Sequence, residues 1–443
     1  MLEKIPKNFI NELLHNTNIV EIINSKMKVK KIGKNYYSLC PFHNEKTPSF
    51  SISYEKQFYY CFGCHVHGNA IDFLMNYEKI NFIESIKELS ELNGMKIPYE
   101  KNKNYEKENN QKNELHKILH KVLKKYKKNI LKEKNKNIKK YLFNRGINEK
   151  SIKIFSLGYS CNIIKKYKKN IYNDKKYKKK LIESGILYKN KKNILCNRFI
   201  NRIMFPIKNI NGKINGFGGR STSIQFPKYI NSPETKIFQK RNNLYGLYEL
   251  YKYNKKIKKI IIVEGYFDVI KLHQNYIKYT VSTLGTSINQ NTIKKLFRIS
   301  DTLIYCYDGD IAGKKAAWKT LEISLPCIYD NKILKFIFLP KGEDPDSIIQ
   351  KEGRKKFKMR IKKALPMSEF LFEKLIKNVN LLIPEEKSKF SNVIIKMIEK
   401  IPGKMIKTFL KKKLKNKLGI LDIYKFNNFF LKKKVKKKNI NTI

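Results

Sequence analysis

Three times in the second half of the chain a short apolar run ends on acidic residues. Residues 260–263 are four β-branched apolar residues in a row, the pattern of a strand buried on both faces of a parallel sheet. Glu264 and Gly265 follow, and apolar positions then recur at helical spacing. A helix is therefore expected to start near Gly265, with Glu264 at the carboxyl end of the strand and Asp268 one turn into the helix. Residues 303–307 repeat the design before Asp308-Gly309-Asp310, and residues 336–340 precede Gly342-Glu343-Asp344-Pro345-Asp346. Strands alternating with helices predict βαβ units, and ligands of open α/β sheets bind at the carboxyl ends of the strands. Three strand ends then deliver carboxylates to one edge of a sheet.

The rest of the pattern divides the chain. Amphipathic helices are expected at 7–14 and 19–25, and a hairpin at 49–53 and 57–60. Residues 71–92 read as one helix, with Ile71, Phe73, Leu74, Phe82, Ile86, Leu89 and Leu92 on apolar faces; Gly94 and Pro98 end it. Residues 101–112, rich in Lys, Asn and Glu without periodicity, read as a linker. From 113 a basic helical stretch leads to alternating and apolar runs with Asn-Gly turns across 197–220, an α+β subdomain with a hairpin. Gly216-x-Gly218-Gly219 reads as a tight turn more than as a phosphate loop. Residues 366–443 look all-helical; the Lys run from 411, broken by Leu, Ile and Phe, reads as a helix against nucleic acid before it reads as a solvated tail. The expectation is a multidomain α/β protein: a zinc ribbon at 1–100, a linker at 101–112, an α+β subdomain at 113–243, an α/β core at 244–365 and a helical subdomain at 366–443.

Composition narrows the partners. Hydrophobic residues make up 41% of the 443, enough for packed cores. Lys and Arg number 95 against 37 Asp and Glu, a net charge of +58 that calls for a polyanionic partner, most simply nucleic acid. Much of the excess is Lys mixed with Asn and Ile, as mutational drift in an AT-rich genome produces, so the sign of the charge informs more than its size. Four of the seven Cys lie outside any spacing motif, which fits a reducing cytoplasm. The start has no apolar core of a signal peptide, and no run reaches the ~18 apolar residues of a membrane span.

The chemistry sits in two sets of residues. Cys40-Pro-Phe-His43 and Cys61-Phe-Gly-Cys64 are paired ligands at zinc-ribbon spacing, a closed Cys3His set with a structural role for one zinc ion. His65 and His67 are near enough to compete; the four named complete the paired pattern. Phe50, Tyr54, Lys56, Phe58 and Tyr59 either stack on unpaired bases or form the small core of this domain, at even odds. The second set is Glu264, Asp268, Asp308, Asp310, Asp344 and Asp346. Crowded carboxylates repel unless cations neutralise them, and hard oxygen ligands with no His or Cys nearby suit two or more Mg2+ or Mn2+ ions. Any one acid after a strand more often caps a helix; three groups in order make capping the poorer account. The 285–287 loop is a further strand end near this site. Lys314, at the start of a helix, is as readily a surface residue as a phosphate ligand.

Glu264-Gly265 with Asp268, Asp308-x-Asp310 and Asp344-Pro345-Asp346 resemble the TOPRIM site of bacterial primases, topoisomerases and some nucleases. The flanking text is narrower: Glu264-Gly-Tyr-Phe-Asp-Val, Leu284-Gly-Thr-Ser, Tyr307-Asp-Gly-Asp-Ile-Ala-Gly and Leu339-Pro-Lys-Gly-Glu-Asp-Pro-Asp resemble the bacterial replicative DNA primases, and so do both cysteine motifs with their neighbours. The resemblance implies a DNA-dependent RNA polymerase that makes short primers on single-stranded DNA from ribonucleoside triphosphates. It implies a zinc domain that recognises template. It places Asp308 and Asp310 first among the metal ligands, with Asp268, Asp344 and Asp346 assisting and Glu264 as ligand or general base. It assigns Arg145, Arg198, Arg202, Arg220, Lys228, Tyr229, Asn231 and Lys240 to the groove for template and nucleotide phosphates. The family carries a carboxyl-terminal domain that docks on the replicative helicase; counted from the last matched motif, this chain ends about where it would begin, so that domain is expected to be absent. A cytoplasmic monomer is expected. The rivals are a TOPRIM topoisomerase or nuclease, and a zinc-anchored single-strand-binding protein with a decayed site.

Overall fold

The computed structural model describes residues 5–45, 47–78, 80–98, 103–161, 174–222, 227–254, 256–285, 288–377 and 379–419, with backbone alone for 103–107 and 134. The chain forms two compact units, Met1–Gln111 and Lys112–Ile443.

In the first unit, helices Lys7–Asn16 and Ile19–Lys26 precede an antiparallel sheet whose strands lie side by side in chain order: Lys30–Ile32, Asn35–Ser38, Phe50–Ser53, Phe58–Cys61 and His67–Gly68. Phe50, Ile52 and Tyr59 on the middle strands pack with Leu13, Ile23, Phe73, Ile86 and Leu89 as the core. This divides the aromatic set: Phe50 and Tyr59 are buried, while Tyr54 and Phe58 face solvent. The single helix expected over 71–92 is two helices, Ala70–Tyr77 and Phe82–Leu92. Asn81 starts the second with a capping box, accepting from the Ile83 and Glu84 N–H groups while Glu84 accepts from its own. The expected linker is helical from Lys103, because a helix runs over Lys103–Ile130, and the division between the two units falls within it, between Gln111 and Lys112. Its first turns mix Lys, Glu and Gln with several Asn, a weak helix former, and its later turns bury Leu119, Val122 and Tyr126, so packing downstream carries the helix back through a polar stretch. Residues 101–102 lie outside the described residues.

In the second unit an antiparallel sheet runs in the order Tyr229–Asn231, Ile214–Ser221, Arg202–Lys208, Gly158–Ser160. The glycines read as a tight turn lie inside the strand Ile214–Ser221. Side chains crowd them: a Cβ would meet Phe238 at Gly216, Tyr266 at Gly218 and Phe199 at Gly219, each under 3.0 Å. Neighbours from other segments required these glycines, which no local pattern records.

The second sheet of this unit has the order Thr280–Ser282, Lys259–Val263, Thr302–Tyr307, Ile333–Phe338, Leu365–Pro366, parallel except for the last strand. Its side chains alternate between two cores. Ile260, Ile262, Leu303, Tyr305 and Phe336 pack on one face with Phe370, Leu371, Ile394, Leu410 and Leu414 from the helices Met367–Ile376, Pro384–Glu399 and Lys404–Leu418. Ile261, Val263, Ile304, Cys306 and Ile337 pack on the other with Phe205, Ile207 and Phe267, so the antiparallel sheet and the parallel sheet share one core. The chain goes from Lys259–Val263 outward to Thr280–Ser282, then returns past it to Thr302–Tyr307. The adjacent carboxyl ends of Lys259–Val263 and Thr302–Tyr307 are therefore the topological switch point, where such sheets bind ligands. No helix among the described residues is long and apolar enough to cross a membrane.

Candidate active site and metal centre

In the first unit the two cysteine motifs come together across the sheet. One ligand atom from each of Cys40, His43, Cys61 and Cys64 lies within 4.8 Å of all the others, the one such group of His, Cys, Asp or Glu among the described residues. Cys40 and Cys64 sulfurs are 3.7 Å apart, and Cys61 Sγ is 3.7 Å from His43 Nδ1. Tetrahedral ligands at metal–sulfur bonds of about 2.3 Å stand about 3.8 Å apart, so this donor set fits zinc. Burial pushes the Cys40 thiol up to about 12, and a cation is what would hold it as thiolate. His65 and His67 turn elsewhere: His65 Nδ1 bonds the Tyr60 hydroxyl at 2.8 Å, and the His67 ring stacks on Tyr60. Sequence reasoning passed over Glu45. Its carboxylate accepts from the Cys40 N–H at 2.6 Å, from the Ser49 hydroxyl, and pairs with His43 Nε2 at 3.0 Å, orienting the imidazole so that Nδ1 faces the cysteines. A carboxylate two residues after a ligand His was the available signal.

In the second unit Glu264 follows the strand Lys259–Val263, and Asp308 follows Thr302–Tyr307, the two strands that meet at the switch point. Gly265 caps the helix Tyr266–Gln274, whose Asp268 turns back to accept from the Gly265 N–H at 2.9 Å. Asp310 caps the helix Ile311–Ser324, accepting from Gly313 N–H at 2.6 Å, and Asp344 caps Pro345–Lys362, accepting from Ser347 N–H at 2.7 Å. Gly309 lies where a Cβ would come within 1.9 Å of the Leu339 carbonyl oxygen, so the loop between the two aspartates rests directly on the end of the neighbouring strand.

The acids act on each other. Burial, then Asp344 and Asp310, pushes Asp308 up to about 6. Burial, then chiefly Asp344, pushes Asp268 up to about 8, with Asp346 and Asp308 adding to it. Burial, then Asp308 and Asp310, raises Glu264. Asp308 is the hub: its charge and those of Glu264, Asp268, Asp310 and Asp344 act on one another across the site. These oxygens are spread more widely than the sulfur cluster, and their chemistry is that of hard-cation ligands. Asp346, expected among them, is placed differently. It is 3% exposed, and its oxygens accept from Arg145 Nη2 at 3.2 Å and Gln350 Nε2 at 2.6 Å, with Lys271 Nζ 3.8 Å away.

The expected groove residues also divide. The Arg145 guanidinium lies 4.6 Å and that of Arg220 5.0 Å from the Phe267 ring centre. Arg220 donates to the Tyr229 hydroxyl at 2.8 Å, and its buried Nε has no hydrogen-bond partner among the described residues. Lys228 is exposed and Lys240 half-buried. The Arg198 guanidinium lies 5.5 Å from the Tyr188 ring centre, and its Nε has no hydrogen-bond partner among the described residues. Arg202 turns inward and donates to the carbonyls of Pro227, Lys228 and Gly219, bracing the backbone. Asn231 is occupied at both ends, accepting from the Tyr266 hydroxyl and donating to Leu284 O at 2.9 Å. Phe267 and Tyr266 lie inside the quoted motif, and their role needed the fold. Thr286 and Ser287 lie outside the described residues.

A zinc ribbon in one unit and, in the other, a TOPRIM sheet with acids at the switch point and arginines over the Phe267 ring define an enzyme of nucleotidyl transfer on nucleic acid. The chain belongs to the family of bacterial DNA primases. Family models match in order: the CHC2 zinc finger at residues 5–105, the N-terminal domain of the DNA primase catalytic core at 125–251 and the Toprim domain at 258–333. The DNA primase of Buchnera aphidicola subsp. Baizongia pistaciae is 51% identical, over 99% of this chain and 77% of its own length. That of Escherichia coli K12 is 42% identical, over 95% of this chain and 73% of its own. Among solved structures, a DnaG primase catalytic domain bound to ssDNA matches 71% of this chain and 98% of its own with TM-score 0.68 at 38% identity. The Aquifex aeolicus primase, zinc-binding and RNA polymerase domains, matches 93% and 97% with TM-score 0.59 at 31% identity. The protein is a DNA primase, an RNA polymerase that makes short primers on single-stranded DNA, which sets aside the topoisomerase, nuclease and binding-only readings.

One expectation is overturned. A fourth family model, the DnaB-helicase binding domain of primase, matches residues 368–422, so the carboxyl-terminal domain judged absent is present. Its helices bury their apolar faces against the TOPRIM sheet, and so their sequence read as a subdomain of the core. Residues 420–443, most of the Lys-rich tail, lie outside the described residues.

Proposed function

We propose that the switch-point carboxylates and the arginine–aromatic cluster beside them form the polymerase site. Glu264, Asp308, Asp310 and Asp344, with Asp268 assisting, would hold two or more Mg2+ or Mn2+ ions. Such ions, when bound, stabilise the charge that develops on a phosphoryl group under attack. In the reaction the 3′-hydroxyl of one nucleotide displaces pyrophosphate from the α-phosphate of the next. Arg145 and Arg220 bind phosphate oxygens with guanidinium forks held over the Phe267 ring, and Tyr229 orients Arg220. Arg198, Lys228 and Lys240 line the template path, while Arg202 and Asn231 brace it from within. Glu264, on the solvent side of the site, serves as ligand or general base. Cys40, His43, Cys61 and Cys64 would hold one structural zinc, and exposed Tyr54, Phe58 and Phe62 offer stacking faces to unpaired template bases. The helices from Met367 dock on the replicative helicase.

The observation that carries the reading is Asp308 at the switch point, its charge coupled to those of four other carboxylates. The test is synthesis of short labelled RNA on single-stranded template from ribonucleotides with Mg2+ or Mn2+ and no helicase. Asp310→Ala is expected to lower product by about a hundredfold or more in a protein that still folds, with its stability to melting lowered by about 1 kcal/mol through loss of the helix cap. Unchanged yield from the folded variant would remove Asp310 from the site.

A further inference from the structure

Lys271 is a buried cation that the polymerase reading leaves unused. It lies on the helix Tyr266–Gln274, three residues after Asp268, and is 2% exposed. Its ammonium group stands 3.8 Å from Asp346 Oδ1, and burial lowers its pKa while Asp346 raises it. The same group lies directly under Gly146, where a Cβ would come within 2.4 Å of Lys271 Nζ; Gly146 has φ +69°, so this turn calls for glycine twice over. That turn ends the helix Lys136–Asn144 and carries Arg145. It is pinned from the same TOPRIM helix a second time, because Gln274 Nε2 donates to Gly146 O at 3.0 Å.

Asp344 and Asp346 look alike in sequence and differ in surroundings. Asp344 caps the helix Pro345–Lys362 with one oxygen, and its charge raises both Asp268 and Asp308. Asp346 sits two residues on, and residues two apart on a helix do not face the same point. Both its oxygens are taken, by Arg145 Nη2 on one and by Gln350 Nε2, with Lys271 behind, on the other. Turning Asp346 toward a metal would strand the buried Lys271 ammonium without a counter-charge, which is costly. Turning it would also release Arg145 from the only acidic side chain it bridges among the described residues.

We infer that Asp346 is a positioning residue and not a metal ligand: with Lys271 it forms a buried ion cluster that fixes the Arg145 guanidinium across Phe267, ready for a nucleotide phosphate. This rests on Arg145 being a phosphate ligand of the proposed polymerase site. The metal ligands then come from Glu264, Asp268, Asp308, Asp310 and Asp344. The third acidic motif divides its labour, one aspartate toward the ions and the next toward the arginine that meets the same substrate.

The test uses the full chain in two assays, Mn2+ titration by the spin-resonance signal of free ion, and primer synthesis with ribonucleotide varied. The variants are Asp346→Asn, Asp346→Asn with Lys271→Met, Arg145→Ala, Arg145→Ala with Asp346→Asn, and Asp308→Asn as comparator. The paired Asp346 and Lys271 change removes both charges together, so it reports on the cluster even where the single change unfolds the protein. Expected for the Asp346 variants are wild-type Mn2+ affinity, a KM for ribonucleotide raised about tenfold, a small change in kcat, and no further loss when Asp346→Asn is added to Arg145→Ala. Loss of Mn2+ affinity matching Asp308→Asn, or a multiplicative further loss in the Arg145 background, would overturn the inference. Wild-type Mn2+ binding by Asp308→Asn would instead fail the metal reading, and the Arg145 cycle would still decide the role of Asp346.

Discussion

Asp308 is where residue chemistry sets the working pH. Burial and two neighbouring acids push it up to about 6, and Asp268 up to about 8. Both shifts favour the neutral acid in the folded chain. Without metal, these groups contribute stability that is fully present below their unfolded values near 4 and lost as pH rises through 6 for Asp308 and 8 for Asp268. A divalent ion reverses the preference by neutralising the carboxylates. At the proposed metal site, protons and metal would therefore compete for Asp308. The acid limb of primer synthesis is expected near pH 6 and should move to lower pH as Mg2+ rises, by about one unit per tenfold Mg2+ where one proton competes with one ion. Rate against pH at 1 and 10 times a limiting Mg2+ concentration checks this. The same logic makes Mg2+ raise the melting temperature more at pH 8 than at pH 5. A limb that stays fixed while Mg2+ varies would assign it to a group outside the carboxylate cluster.

At the scale of elements, the loop joining Thr302–Tyr307 to Ile311–Ser324 holds the site together through contact with the next strand. A methyl group at Gly309 would press on the Leu339 carbonyl oxygen, a backbone atom that has no rotamer to yield. Gly309→Ala is expected to cost about 1–3 kcal/mol in thermal or denaturant unfolding and to displace both aspartates, lowering primer yield far more than the stability loss explains. Wild-type yield with a wild-type melt would show that the strand end moves aside. The strands leading into this loop were legible because continuous β-branched runs report burial on both faces, and the acids after them were legible by position. The structure added what depends on distant segments. The glycines at 216–219 answer to Phe199, Ser232, Phe238 and Tyr266, all far along the chain. Asp346 repeats Asp344 in sequence but meets Arg145, 201 residues away. The break between Ala70–Tyr77 and Phe82–Leu92 was written in sequence, in Asn81 and Glu84, under an apolar rhythm that continued across it.

For the whole molecule, the segment that matches the helicase-binding domain is part of the catalytic core. Phe370 lies 4.8 Å from Phe336 between ring centres and 6.0 Å from Trp318, and Phe390, Ile394, Leu410 and Leu414 extend the same apolar layer over one face of the parallel sheet. Ending the chain at 366 would uncover that face, at roughly 25 cal/mol for each Å2 of apolar surface returned to water. Such a truncation is expected to aggregate or lose activity even without helicase, and so cannot by itself separate docking from chemistry. Surface changes can. Val393, Met405 and Phe409 are apolar and exposed on the outer sides of these helices, away from the buried layer. Val393→Asp, Met405→Asp and Phe409→Asp, singly and together, should leave helicase-independent synthesis and the melting temperature as in wild type. If these helices dock on the replicative helicase, at least the combined variant loses the stimulation of priming by helicase and co-elution with it. Full stimulation in the combined variant would move the docking surface off this face. Loss of helicase-independent synthesis would show that these three side chains serve the core. The +58 charge gives the assay a further control. Template affinity carried by Lys and Arg falls steeply with salt, whereas docking through apolar side chains does not, so a helicase effect of these variants should persist as salt rises.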